Sequence, residues 1–299
     1  MSFVVVGSVA LDSVQTPFGK RDEMLGGSAV YCTLAASHFT SPKLVGVVGE
    51  DFPQEAIELL ESRKIDLSGL ETKPGKTFRW SGVYSDDMNE RETLYTALNV
   101  FEDFNPTIPD DARTAEYVFL GNISPTLQLN VLEQMTDPRF VAMDTMNFWI
   151  AGARDELLKV LPNVHALIIN DSEARQLSGS ANLLRAARTI QEMGCPTVLI
   201  KKGEHGCFQV CRDDCFITPA YPLEIVLDPT GAGDTFAGGF MGHLVRAGSS
   251  DPRILREAVV YGSVMASFVV ESFGVEGLLE LTDAKIGQRY DEFRQLVSF

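Results

Sequence analysis

The chain has 299 residues, 45% hydrophobic and 22% charged, the composition of a globular protein with a substantial core built as one large domain or two. Its 25 basic and 41 acidic side chains leave a net charge of −16, so the surface repels nucleic acid and anionic membrane. A polyanionic ligand must therefore be gathered by a metal ion and backbone dipoles rather than by a basic face.

At the amino end, Met1-Ser2-Phe3-Val4-Val5-Val6 has no basic flank and too short an apolar run for a signal peptide. Residues 3–9 are expected as a first strand. Gly26-Gly27-Ser28-Ala29 closes an irregular segment and opens a helix over 28–39, followed by a strand at 44–48 and a helix at 54–63. Between 77 and 101 the pattern becomes alternating and aromatic (Phe78, Trp80, Val83, Tyr84, Thr93, Tyr95), with Asp86-Asp87-Met88-Asn89 as a turn. That predicts a half-exposed antiparallel hairpin, which a short strand near 13–18 joins. Such a sheet serves as a lid over a cleft, as a dimerisation surface, or as both.

Strand runs at 117–120, 140–144, 166–170 and 197–201 then alternate with helical patterns. Several are apolar on both faces. The fold class is therefore α/β: three α/β/α layers around a mainly parallel central sheet, plus the small β-sheet lid. The chain reads as a single domain, 1–299, with the lid formed by about 13–25 and 67–102. The apolar stretch 259–270 is interrupted by Tyr, Gly and Ser and is too short for a bilayer, so a buried helix is expected. The five cysteines (Cys32, Cys195, Cys207, Cys211, Cys215) do not make a disulfide framework at this length. Cys207, Cys211 and Cys215 lack a paired C-x-x-C or clustered His and read as buried or half-buried strand thiols, consistent with a reducing cytoplasm.

The string Asp228-Pro229-Thr230-Gly231-Ala232-Gly233-Asp234-Thr235-Phe236-Ala237-Gly238-Gly239 carries the most chemistry. Leu223, Ile225, Val226 and Leu227 before it read as extended, and 234–245 reads as a helix. A glycine-rich turn at a helix start leaves backbone N–H groups unpaired at the positive end of the dipole, an anion site suited to phosphate. Asp234 at its rim is placed to take a proton from a hydroxyl attacking that phosphate. A plain N-cap is the bland reading, but capping does not need Gly231, Ala232 and Gly233 kept small before it. Gly238-Gly239 costs roughly 1 kcal/mol of helix propensity per residue and suggests close approach of another backbone or a ligand. Two further strand ends carry polar turns: Asn170-Asp171-Ser172-Glu173, which also reads as a capping box, and Lys201-Lys202-Gly203-Glu204-His205-Gly206. Ligands of parallel α/β sheets bind beyond the carboxyl ends of the strands, where these motifs fall.

On these motifs the chain resembles the ribokinase-like (PfkB) family of carbohydrate and nucleoside kinases, along nearly its whole length. Gly231-Ala232-Gly233-Asp234 matches the family's carboxy-terminal signature and Gly26-Gly27 its amino-terminal glycine pair. Asn170 and Glu173 match its N-x-x-E motif, tied to Mg²⁺ and phosphate. Lys201, Gly203, Glu204 and Gly206 match its nucleotide segment. The resemblance implies an ATP-dependent transfer in which Asp234 deprotonates a primary hydroxyl of the acceptor. The N–H groups of Gly231, Ala232 and Gly233 stabilise the developing charge, and Mg²⁺ sits near Glu173. It implies that Asp12 binds acceptor hydroxyls and that Gly262, Ser263 and Ala266 line the adenine, with Phe273-Gly274 closing the pocket. Asp228 and the Thr230 carbonyl match positions that bind a potassium-like ion (K⁺) in several relatives.

The acceptor is read from where the chain departs from its relatives. Ribokinases follow the glycine pair with a Lys-Gly-Ala-Asn type segment; Ser28-Ala29-Val30-Tyr31 has neither the Lys nor the Asn, which turns the expectation away from ribose. Gly-Gly-Ser looks more like adenosine-kinase relatives, from which Tyr31 also departs. The lid aromatics Phe78, Trp80, Tyr84, Tyr95 and Phe101 either stack a nucleobase or pack the lid strands and a second subunit. Ser28, Trp80, Asn99 and Asp144 are further acceptor-binding candidates. A phosphorylated acceptor needs a basic clamp; the lid offers Arg79 and Arg91, with Asp86, Asp87 or Glu90 to pair them. An unphosphorylated sugar or ribonucleoside is thus expected. A P-loop G-x-x-x-x-G-K-[ST] and a Rossmann G-x-G-x-x-G after the first strand are missing from the sequence. A non-catalytic sensor on the same fold is the rival reading, and it does not require Asp234.

Overall fold

A computed structural model describes residues 1–88, 91–212 and 214–298. The first half runs β1 (Phe3–Val6), β2 (Ala10–Thr16), β3 (Gly19–Gly26), α1 (Ser28–Ala36), β4 (Lys43–Gly49), α2 (Gln54–Ser62), β5 (Asp66–Lys73), β6 (Phe78–Tyr84), β7 (Arg91–Ala97), β8 (Tyr117–Leu120), α3 (Pro125–Gln134) and β9 (Phe140–Asp144). The second runs α4 (Asn147–Gly152), α5 (Arg154–Val160), β10 (Ala166–Asn170), α6 (Asp171–Ser178), α7 (Leu183–Glu192), β11 (Thr197–Lys201), β12 (Cys207–Val210), β13 (Cys215–Thr218), α8 (Ala232–Ala247), α9 (Pro252–Val269), α10 (Glu276–Leu279) and α11 (Asp283–Leu296).

Nine strands form one sheet in the order β13-β12-β11-β10-β9-β8-β1-β4-β5. It is parallel from β11 to β5 and antiparallel where β12 and β13 are added. The buried strands divide their side chains by parity. Phe3, Val5, Phe119, Ile168 and Leu199 face a core shared with α1, α8 and α9. Val4, Val6, Val118, Leu120, Ile169 and Ile200 face a second core against α3, α5, α6 and α7. This two-sided burial is why the strands are apolar throughout. The chain leaves β1 for β4 and β5 on one side and returns to β8 and its successors on the other. A crevice therefore opens beyond the carboxyl ends of the strands beside β1.

The helices over that crevice approach closely. A methyl at Gly238 would run into the Cys32 carbonyl of α1, and one at Gly239 would lie 2.9 Å from the Tyr261 carbonyl of α9. Close backbone approach, on both sides of α8, is what the glycine pair permits.

The lid is a separate sheet in the order β3-β2-β6-β7, with β2 parallel to β6 and β6 antiparallel to β7. Its strands span 10–26 and 78–97. The expected lid segment 67–102 is too long, because β5 pairs with β4 as the edge of the large sheet. The first strand stops at Val6 rather than residue 9, since Ser8 turns aside to exchange hydrogen bonds with Ser28. Residues 223–227 form no strand; Leu227 N–H instead donates to the Val270 carbonyl. Cys207 is buried in β12, whereas Cys215 is exposed on the edge strand β13, not half-buried as expected. Of the expected turn 86–89, Asn89 lies outside the described residues, as does Glu90.

Candidate active site

Gly231 is the N-cap of α8, at φ 74 and ψ 0, a left-handed conformation that glycine adopts without strain. Asp234 is the third residue of the helix and does not cap it. The bland reading of this residue therefore fails, and its carboxyl is left at the mouth of the crevice. Burial, followed by the nearby Asp144 charge, raises Asp234 from 3.8 to about 7, against the pull of Lys201 and Arg91. Two side chains from distant segments press on the glycines. A Cβ at Gly231 would collide with the ring of Tyr31, and a Cβ at Gly233 would lie 2.7 Å from Lys201 Nζ. The turn is thus tight, and of the three N–H groups expected to face an anion, that of Ala232 is instead donated to the Pro229 carbonyl at 3.2 Å, because the turn closes on its own backbone.

Three strand ends complete this half of the site. Asp144, at the end of β9, is buried; its Oδ1 accepts the Thr145 N–H at 2.7 Å and its Oδ2 faces Lys201 Nζ at 3.6 Å. Lys201, at the end of β11, keeps its charge: burial pulls its pKa down, but Asp144, Glu173 and Asp234 outweigh that and leave it raised. Lys201 was expected with the nucleotide segment, and its amine lies near the carboxylates of Asp144, Glu173 and Asp234. Asn170 and Glu173, after β10, form a reciprocal capping box, Glu173 Oε2 accepting Asn170 N–H and Asn170 Oδ1 accepting Glu173 N–H, both at 2.8 Å. Burial and then Asp144 lift Glu173 to about 7. Asp144 thus raises both Glu173 and Asp234, and buried carboxylates under such repulsion suit a divalent cation.

The loop before the cradle is pinned from both sides. Asp228 is buried, with Oδ1 accepting Thr230 N–H and Oδ2 accepting Gly274 N–H, each at 2.9 Å. Its carboxylate thus holds the loop against Phe273–Gly274. Thr230 Oγ1 donates to the Tyr84 hydroxyl at 3.1 Å, tying the lid strand β6 to the loop before α8.

On the acceptor side, Asp12 of β2 is buried and stands in register with Trp80 of β6. Burial raises it to about 7; the Gly27 N–H pulls it back, while Asp228 and Asp234 push it further. The glycine pair makes room for it: a methyl at Gly26 would strike the Asp12 carboxylate, and at Gly27, which turns at φ 96, a methyl would lie 2.5 Å from the Ser8 carbonyl oxygen. Arg91 lies over the Trp80 ring at 5.1 Å. Ser28 is placed differently from expectation. Its hydroxyl accepts the Ser8 N–H at 3.1 Å and lies 3.2 Å from the Ser8 hydroxyl, pinning α1 to the end of β1. Asn99 is likewise occupied, its amide donating to the Thr77 carbonyl at 2.9 Å. Arg79 pairs with Glu23 and Asp51, both at 2.9 Å, and not with the lid-turn acids.

The lid aromatics separate by role. Phe78 stacks on Phe101 at 5.2 Å and Phe101 on Phe104 at 5.5 Å, which fastens the lid root to the main domain. Tyr84 is buried, Trp80 is half-buried, and Tyr95 is exposed. On the expected nucleotide face, Gly203 and Glu204 lie exposed in a turn, and Gly206 packs beneath the Thr218 carbonyl. Gly262 faces α8, where a methyl in its place would lie 2.8 Å from the Phe236 carbonyl oxygen. Ser263 and Ala266 of α9 are half-buried. Sequence reasoning missed Tyr84 as a link to Thr230 and Tyr31 as a wall of the cradle; Tyr84 shows only as one aromatic of the alternating lid, and Tyr31 only as an aromatic after the Gly26-Gly27 pair.

A model of the pfkB family carbohydrate kinases matches residues 12–281. The chain belongs to this family. It is an ATP-dependent phosphotransferase acting on an alcohol group of a sugar or nucleoside, and the family uses ATP with a divalent metal ion. The kinase is 32% identical to the cytidine kinase of Thermococcus kodakarensis, over 92% of this chain and 98% of that one. It is 24% identical to a nucleoside kinase of Methanocaldococcus jannaschii, over 94% and 90% of the two chains. The crystal structure of the M. jannaschii nucleoside kinase superimposes with a TM-score of 0.78 at 21% identity, covering 98% of this chain and 99% of that one. The aminoimidazole riboside kinase of Salmonella enterica, in complex with aminoimidazole riboside and an ATP analogue, superimposes with a TM-score of 0.79 at 19% identity, covering 97% and 100%. The three-layer fold with its separate lid sheet is that of the ribokinase family.

Proposed function

We propose that this kinase phosphorylates the primary hydroxyl of a ribonucleoside, with cytidine the first to try, and that Asp234 is the general base. The observation that carries the base is the placement of Asp234. It is the third residue of α8, uncommitted to capping, beside the cradle, with its carboxyl lifted to about 7. A base of that pKa is ionised in part at neutral pH and accepts a proton with useful driving force.

In this reading the acceptor's secondary hydroxyls meet Asp12, and its base lies toward Trp80. Asp234 takes the proton from the primary hydroxyl as its oxygen forms a bond to the γ-phosphorus of ATP. The bond from that phosphorus to the bridging oxygen breaks, and ADP leaves. The N–H groups of Gly231 and Gly233 and the Lys201 ammonium stabilise the charge on the transferring group, the Ala232 N–H being donated to the Pro229 carbonyl. Glu173 and Asp144 would hold the magnesium ion, which neutralises phosphate charge. The choice of a nucleoside rests on the cytidine kinase relative and on the missing Lys and Asn after Gly27. A monovalent cation belongs to the reading through the backbone of the 228–230 loop, since the Asp228 carboxylate is already bound there. Homodimer formation through the lid belongs to it through β7, an edge strand carrying exposed Leu94 and Tyr95.

The test is ATP consumption against cytidine, uridine, adenosine, inosine and free ribose, in potassium and in sodium, beside the Asp234→Asn variant. Cytidine turnover that disappears in Asp234→Asn is expected. Preference for ribose removes the nucleoside, equal rates in sodium remove the cation, and an active variant removes the base.

A further inference from the structure

The Tyr31 side chain has a burial and an environment that packing alone does not explain. It sits in the first turn of α1, is 1% exposed, and lays its ring against Gly231. Its hydroxyl is buried with no hydrogen-bond partner among the described residues. A phenol in so dry a place ordinarily finds a partner, because an unmet hydroxyl costs about 1–3 kcal/mol. A phenylalanine would fill the same volume without that cost.

The surroundings say what the hydroxyl faces. Burial first, then the charge of Asp12, then those of Asp228, Tyr84 and Asp234, hold it protonated well above the ordinary range. Its ring rests on Gly231, three residues before Asp234, and its N–H donates to the carbonyl of Gly27, next to the Gly26 against which the Asp12 carboxylate packs, so the phenol stands where those two segments meet. A protonated phenol there has a donor to give to a hydroxyl held at Asp12.

Resting on the proposed nucleoside kinase reading, we infer that Tyr31 is a specificity residue whose hydroxyl hydrogen-bonds a secondary hydroxyl of the acceptor's sugar ring. Asp12 and Tyr31 then grip the same edge of the furanose, one mainly accepting and the other donating. A sugar lacking that hydroxyl leaves both groups unmet in a buried site, the arrangement that discriminates most strongly against deoxy analogues. The ring of Tyr31 meanwhile couples this grip to the cradle, since it touches the N-cap of α8.

The experiment compares kcat/KM for cytidine, 2′-deoxycytidine and 3′-deoxycytidine in the wild type and in Tyr31→Phe, which keeps the ring against Gly231. The wild type is expected to prefer cytidine over one deoxy analogue. In Tyr31→Phe that preference should fall by about tenfold, through the KM for cytidine, with the KM for ATP unchanged. Equal ribose-to-deoxyribose ratios in the two proteins overturn the inference. So does a variant altered only in its response to potassium, which would place the hydroxyl at an ion instead. A wild type that phosphorylates none of the three but accepts a plain sugar overturns the nucleoside reading, and this inference with it. Tyr31→Leu, which loses ring and hydroxyl together, separates the two roles: it should lower kcat as well as raise KM.

Discussion

The carboxyl end of the large sheet and the lid sheet are built on opposite principles. Asp144, Asn170 and Lys201 project from strands buried on both faces, and Asp234 from a helix clamped between two others. The lid is thin. Six residues of its edge strand β7 are exposed, and its attachments include the Phe78–Phe101 stack, the Arg79–Asp51 ion pair, the Arg21 guanidinium over Phe273 and the Tyr84–Thr230 hydrogen bond. Phosphoryl transfer needs groups fixed to a fraction of an ångström, and acceptor binding needs an opening. The difference predicts that changes at the sheet end lower kcat, while changes in the lid act on the acceptor's KM.

The largest effect is expected from Asp234→Asn, a loss of kcat of about 10³-fold or more with ATP binding retained, read by single-turnover kinetics and nucleotide titration. Gly233→Ala should follow. A Cβ there meets Lys201 Nζ at 2.7 Å, and displacing the amine or the cradle should cost about 10²-fold in kcat at little change in the acceptor's KM. If the KM shifted instead, the division between the two regions would be wrong. In the lid, Tyr84→Phe removes the acceptor of the Thr230 hydrogen bond and should raise the acceptor's KM about fivefold, with kcat within twofold.

The pH dependence sharpens the comparison. Asp12, Glu173 and Asp234 all move from ordinary carboxylate values to about 7 on folding. Their favourable contribution is complete below about pH 4 and is lost as pH rises through 7, where ionised carboxylates are held in a dry site. Asp234→Asn and Asp12→Asn should therefore melt higher than wild type at pH 8, by about 2–4 °C, with the advantage gone at pH 4.5. Activity runs the other way, kcat/KM rising with an apparent pKa near 7 that belongs to the coupled set. A melting advantage that persisted at pH 4.5 would mean that the raised carboxylates are not its source. The smallest effect is expected from Arg79→Ala, whose partners Glu23 and Asp51 are partly exposed: about 0–1 kcal/mol in denaturant unfolding and a modest rise in the acceptor's KM.

Much of this was legible from residue order alone, for a physical reason. Strands buried on both faces must be apolar throughout, so Tyr117–Leu120, Phe140–Asp144, Ala166–Asn170 and Thr197–Lys201 stand where the runs place them. The anion cradle is a property of consecutive backbone groups, so Gly231-Ala232-Gly233 ahead of Asp234 announces it locally. The hairpin of β6 and β7 follows from alternation over adjacent residues. Folding in three dimensions decided who stands beside whom. Lys201 against Gly233, Tyr31 against Gly231, Tyr84 on Thr230 and Arg79 between Glu23 and Asp51 join residues far apart in the chain. No period or spacing encodes such a meeting. It also turned Ser28 and Asn99 toward the protein's own backbone and gave Gly262 to helix packing, because a short polar or bare position serves whichever neighbour the fold brings to it.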